Sequence, residues 1–172
     1  MKYIPFFILV IVLYIVIGNM VNAYKIPDEA IRIRVIANSN SDYDQKMKLK
    51  VKDNLEYDMY NMLKNIKGIE NAREVINSNL NSIDKKVAKT IKDNNYQMNY
   101  NVNFGYNYFP AKEYKGIKYD EGYYESLVVT LGEGKGDNWW CVLFPPLCLM
   151  EAEESTDVEY TTLAKEMVSK YF

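Results

Sequence analysis

Ile31-Arg32-Ile33-Arg34-Val35-Ile36-Ala37-Asn38-Ser39-Asn40-Ser41 is the stretch on which the architecture turns. Apolar and basic residues alternate up to Ile36, the period of a strand with one greasy face and one charged face. The Asn-Ser-Asn-Ser run then supplies side-chain oxygens for the free amides of a helix start, and Asp42 and Asp44 set negative charge at its positive end. A strand that runs directly into a helix is therefore predicted.

Beyond it, Met47, Val51, Leu55, Met59, Met62 and Ile66 recur at spacings of three and four, and Gly68 is the natural stop of that helix. Ala72, Ile76, Leu80, Ile83, Val87 and Ile91 form a second such stripe, ending at Asp93-Asn94-Asn95. From Met98 the period changes to two: Met98, Tyr100, Val102, Phe104, Tyr106 and Tyr108 share one face, with a bend allowed at Gly105. Pro110 to Gly122 reads as turn and loop, Leu127–Leu131 and Trp139–Phe144 as strands. Because neighbouring strands with a short link usually pair, residues 126–144 are expected to form an antiparallel hairpin with a glycine-rich tip. A last helix carries Tyr160, Leu163, Met167 and Tyr171 inward. The fold class is α+β: an N-terminal strand, two amphipathic helices, a mainly antiparallel sheet with the Gly-rich hairpin, and a C-terminal helix.

With 172 residues, 48% of them hydrophobic and 26% charged, the chain suits one core. Lys+Arg number 21 against 23 Asp+Glu, a formal charge of −2, so no basic field exists for nucleic acid. There is no His, which removes Ser-His-Asp and Cys-His nucleophiles and imidazole metal ligands together. At the amino terminus Lys2, the apolar run Tyr3 to Ile17 and the small-residue pattern Val21-Asn22-Ala23 read as a secretory signal cleaved after Ala23. An uncleaved anchor is the rival, and membrane contact is expected only through that segment. Lys2 is the one charge before Lys25, so the amino terminus stays cytoplasmic and the rest is exported. The division is then 1–23 as signal peptide or anchor, 24–150 as a single α+β domain, and 151–172 as acidic linker and C-terminal helix.

An oxidising address makes Cys141 and Cys148, on either side of Pro145-Pro146, a candidate disulfide, with two buried thiols as the other reading. Glycines 132, 134 and 136 around Lys135 do not make a phosphate loop, since Asp137 and a strand follow instead of Ser/Thr and a helix. The candidate protein-binding surface is Gly134, Lys135, Asp137, Asn138, Trp139 and Trp140. Adjacent in a strand, the two tryptophans project to opposite faces, so one is expected in the core and the other outside. Arg32 and Arg34, on a half-exposed face, are the second candidate, as a clamp for an acidic partner. Glu151, Glu153, Glu154 and Asp157 read as a solvated linker, and no catalytic residue, metal or cofactor is expected.

Two segments, Ile31 to Ser41 and Leu131-Gly-Glu-Gly-Lys-Gly-Asp-Asn-Trp-Trp-Cys-Val-Leu-Phe-Pro-Pro-Leu-Cys148, resemble the stage II sporulation protein R family, and the likeness extends across the helices between them. That resemblance implies a secreted, non-enzymatic signal exported by the forespore into the space between its membrane and that of the mother cell. The implied partner is a membrane aspartic protease of the mother cell, which cleaves the precursor of a sigma factor. The alternative is an extracytoplasmic hydrolase that uses carboxylates on cell wall or peptide, for which two carboxylates converging in a deep cleft are the discriminating feature.

Overall fold

The computed structural model describes residues 29–114 and 117–145 together with residue 11. The signal or anchor, the acidic linker, the expected last helix and Cys148 lie outside the described residues, residue 11 apart. Eight elements follow one another: β1 (Ile31–Ile36), α1 (Asp42–Leu63), α2 (Ile69–Asp93), β2 (Tyr100–Phe109), β3 (Lys112–Tyr114), β4 (Ile117–Tyr119), β5 (Gly122–Leu131) and β6 (Asn138–Phe144). This is an α+β arrangement of two helices and a mixed four-stranded sheet in the order β2-β5-β1-β6.

Ile33 and Val35 of β1, Leu127 and Val129 of β5 and Cys141 and Leu143 of β6 belong to one buried cluster with Met47, Val51, Leu55 and Met59 of α1 and Ile76, Ile83 and Val87 of α2. Both helical stripes read from the sequence thus meet the same face of the sheet. The helices run antiparallel, and their seam is linked at four-residue intervals by Lys50 to Asn94, Asn54 to Thr90 at 3.1 Å and Lys86 to Asp58 at 2.9 Å. Side chains separated by one turn are neighbours on a helix surface, so three such pairs fix the register of the pair.

Three expectations are corrected. The hairpin over 126–144 does not form: β5 pairs with β1 in parallel, β1 pairs with β6 antiparallel, and β1 separates the two strands expected to be partners. The physical reason is burial. The two interior strands carry the apolar residues most fully withdrawn from water: Ile31, Ile33 and Val35 of β1 at 0–1% exposure and Leu127, Val129 and Leu131 of β5 at 0%. Strands two positions apart are roughly 10 Å distant, a gap that the link from Gly132 to Gly136 spans easily. Second, the segment Pro110 to Gly122 is not all loop, since β3 and β4 pair there as a short antiparallel ribbon. Third, α1 stops at Leu63 and Gly68, at φ 77°, is the residue before α2; a positive φ suits glycine and sets the angle between the helices.

Candidate functional site

The segment after β1 and the glycine-rich link are one hydrogen-bonded unit. Lys135 N donates to Asn38 O at 3.0 Å and Gly136 N to Ala37 O at 2.9 Å. Asn38 Oδ1 accepts from Glu133 N at 2.9 Å, and Asn40 Oδ1 from Asp137 N at 2.6 Å. Close approach is what the glycines permit: a Cβ at Gly132 would lie 2.2 Å from Asn38 Oδ1, and one at Gly136 would lie 2.3 Å from Ser39 O. Gly134 closes the turn by donating to Leu131 O at 3.1 Å. The glycines therefore serve packing of the link across the end of β1. Lys135 remains exposed, paired with Glu133 at 2.6 Å, and the Asp137 side chain is also exposed.

Under this unit lies a polar knot built on Asp44 and Lys48, which the sequence reading places as an i,i+4 pair on the solvated side of the helix and which are in fact buried. Asp44, the third residue of α1 and buried, accepts from Ser39 Oγ at 2.5 Å, Asn38 Nδ2 at 2.9 Å and Tyr96 Oη at 2.7 Å. Burial alone would raise its pKa; these bonds outweigh it and hold the carboxyl below the usual carboxylate range. The tyrosine moves the opposite way, pushed up by burial and by the Asp44 carboxylate. Next to it, the buried Lys48 donates to Gln45 Oε1 at 2.6 Å and to Asp137 O at 3.3 Å. Desolvation lowers its pKa, against the pull of the Asp137 charge. The signal was present as Ser41-x-x-Asp44, the spacing of a reciprocal helix cap, with Asp44 N donating to Ser41 Oγ at 3.2 Å.

On the other face of the sheet the sequence candidates part company. Arg32 is not on a half-exposed surface: it is 2% exposed, with its guanidinium 3.2 Å from the centre of the Tyr124 ring and 6.0 Å from that of Phe109. Arg34 is half-buried, 5.5 Å from the Phe109 ring, and donates to Tyr108 O at 3.3 Å; burial lowers its pKa. Directly across the ladder from Arg34 stands Trp140. Its ring meets Tyr119 at 4.4 Å and Phe109 at 5.8 Å, both edge to face, and Lys112 Nζ sits 5.5 Å above it. The β3–β4 ribbon thus folds back over Trp140, while Phe109 at the end of β2 and Tyr124 of β5 cover Arg32. Phe109, Lys112, Tyr119 and Tyr124 were not identified from sequence because nothing local marks which distant rings will cover a strand.

Trp139 does face the other way, toward the helices, where it packs on the core beneath Lys52 at 5.4 Å. Neither tryptophan is fully buried and neither is exposed, a correction to the expectation of one inside and one outside. Asn138 opens β6 opposite Ile36. Cys141 is buried opposite Ile33; its expected partner, Cys148, is beyond the described residues.

Two candidate surfaces result. One joins Arg34, Trp140 and Lys112; the other is the rim of the glycine-rich link with Lys135 and Asp137. The first is built from an aromatic ring and cations and the second from charged side chains and backbone amides, chemistry suited to a macromolecular contact. Among the described residues Glu70 and Glu125 converge on Arg73, with Glu125 at 2.6 Å from Nε, and Asp53 and Glu56 on Lys52. Fold and sites together define a small α+β domain with one candidate surface on the face of the sheet away from the helices and another at the end of β1.

Comparison with known proteins agrees in extent with that domain. The family model for stage II sporulation protein R matches residues 27–154, and the chain belongs to that family. It is 43% identical over 126 residues to stage II sporulation protein R of Bacillus subtilis (strain 168), a match covering 73% of this chain and 56% of the relative. The chain thus spans little more than half the length of that curated relative. No solved structure matches it.

Proposed function

We propose that this chain is an exported signal of sporulation that activates a membrane aspartic protease in the mother cell, so that the sigma factor precursor is cleaved. Family membership across residues 27–154 carries this reading. A role in sporulation follows from the family; the steps of export, contact and protease activation are the proposal. In it, the amino-terminal segment takes the domain across the forespore membrane, and the domain meets the external part of the protease in the space beyond.

The physical support lies in the surfaces. Arg34, Trp140 and Lys112 are held in place by packing before any partner arrives, and the 132–137 link is tied to the end of β1 by backbone hydrogen bonds. Pre-formed surfaces avoid the roughly 0.5–1.5 kcal/mol per side chain that ordering on contact costs. For the hydrolase alternative, Glu70 and Glu125 are poor candidates, because they are committed to Arg73 and not to each other.

The test is reconstitution in a non-sporulating host that makes the protease and the sigma factor precursor. Cleavage is expected when the full chain is exported and not when residues 1–23 are deleted. Equal cleavage with and without the chain overturns the reading.

A further inference from the structure

One aromatic patch has no role in anything above. Tyr106 and Tyr123 are 73% and 72% exposed and Tyr108 49%, although each ring would gain by leaving water. In the β2–β5 ladder Tyr108 stands opposite Tyr123 and Tyr106 opposite Glu125, so all three rings share one face at the start of β5. The Tyr108 and Tyr123 rings meet edge to face at 5.7 Å, and Tyr108 Oη donates to Glu121 at 3.1 Å, which holds the patch in one shape.

A groove of about 570 Å³ opens beside these rings, with Glu29, Asp120 and Glu121 along it. A narrower one of about 230 Å³ leads on from Glu29 and Tyr106 to Glu70, Arg73 and Glu125. Among the described residues of the two linings Arg73 is the single cation, and Glu70 and Glu125 already share it. The balance facing solvent is negative and aromatic, which fits a cation with an apolar stem.

We infer that this groove docks a basic, Lys- or Arg-bearing segment of a partner protein, with cationic heads at Glu29 and Glu121 and their stems across Tyr106 and Tyr123. The inference rests on the signalling reading and gives it a contact of stated chemistry. Charge decides the occupant. The chain's own segment 151–157 holds Glu151, Glu153, Glu154 and Asp157 and no base, so it meets carboxylates of its own sign. A second copy joined through the same patch brings Glu29, Asp120 and Glu121 against themselves.

The test uses the full-length chain in neutral detergent and a labelled nine-residue peptide of alternating Lys and Thr, read by fluorescence anisotropy, with a Glu-Thr peptide as control. The Lys peptide should bind, more weakly as salt rises, and the Glu peptide should not. Tyr106→Ala with Tyr123→Ala, and separately Glu121→Lys, should each weaken binding at least tenfold with unchanged circular dichroism; Asn81→Ala, exposed on α2, should leave it unchanged. Equal affinity in the patch variants, or equal binding of both peptides, overturns the inference. So does a dimer in sedimentation that Tyr106→Ala abolishes, which assigns the patch to self-association. Tighter binding after truncation at residue 150 assigns it to the chain's own tail and overturns it too. In the reconstituted host the patch variants should lose precursor cleavage at normal protein level. If removing the whole chain leaves cleavage intact, the signalling reading fails while the peptide result stands by itself.

Discussion

Asn40, just after β1, accepts through Oδ1 the backbone N–H of Asp137, just before β6, at 2.6 Å. The contact joins the two segments in which the family resemblance is most evident and explains how β1 enters the middle of the sheet. A link leaving β5 has to cross the end of β1 to reach β6, and its amides lose water there. Asn38 and Asn40 replace that water with side-chain acceptors, which removes the cost of about 1–3 kcal/mol for each amide left unsatisfied.

Gly136→Ala should therefore be among the most harmful small substitutions in the chain. The new methyl would sit 2.3 Å from Ser39 O, a backbone atom that cannot swing away. A loss of about 2–3 kcal/mol in urea unfolding is expected. Gly105→Ala, with nothing within 4 Å, should cost under about 1 kcal/mol. Similar losses at both positions would contradict the close approach.

Asp44→Asn separates charge from shape in the knot beneath that link. The folded carboxyl has a pKa below its unfolded value of about 3.9. Its contribution is therefore fully present above the unfolded value and is lost as pH falls through the folded one. The variant should be less stable by about 2–3 kcal/mol at pH 7, the scale of hydrogen bonds to a charged group. That deficit should shrink as acid protonates the wild-type carboxyl. Denaturant titrations at pH 7 and pH 3 with the same difference would show that charge at Asp44 is unimportant.

Helices and strands were legible because each has a period, and the stripes at Met47 to Met59 and Tyr100 to Phe104 do pack against the core. Strand order was not, because the parallel pairing of β1 with β5 joins residues more than ninety apart, such as Arg32 and Ser126, and leaves no local mark. The glycines at 132 and 136 were visible as a cluster, yet their reason lies in Asn38 and Ser39. Arg32 looked like surface because Arg usually is; only the rings of Phe109 and Tyr124 overhead make it interior. The opposite faces of Trp139 and Trp140 followed from strand geometry, whereas their partial burial depends on α1 and on the β3–β4 ribbon.

Arg32 and Tyr124 should be energetically coupled. A planar guanidinium 3.2 Å from a ring centre, away from water, gains more than an exposed pair does. A double-mutant cycle of Arg32→Met and Tyr124→Leu should give a coupling of about 1–2 kcal/mol. Arg32→Lys should not restore wild-type stability, since an ammonium lacks the flat face and is more strongly hydrated. Additivity within about 0.5 kcal/mol would reduce the stack to mere proximity.

Trp139 and Trp140 give the last prediction, because they are buried to a similar degree by different things. Replacing either with Ala removes a half-buried ring, so each should cost about 2–3 kcal/mol, below the 3–5 typical of a fully buried aromatic. Their consequences should then diverge. Trp140 is what Tyr119, Phe109 and Lys112 rest on, so its loss should release the β3–β4 ribbon and speed limited proteolysis between Lys112 and Tyr119. Trp139 touches the helical side under Lys52 and should leave that cleavage rate unchanged. If the face carrying Arg34 is a contact surface, Trp140→Ala should also lower precursor cleavage in the reconstituted host beyond what its stability loss explains. Trp139→Ala, matched to it in stability, supplies the control. Equal proteolysis and equal signalling in the two variants would mean that the ribbon is held by something other than Trp140, and the link carrying Lys135 and Asp137 would become the surface to test.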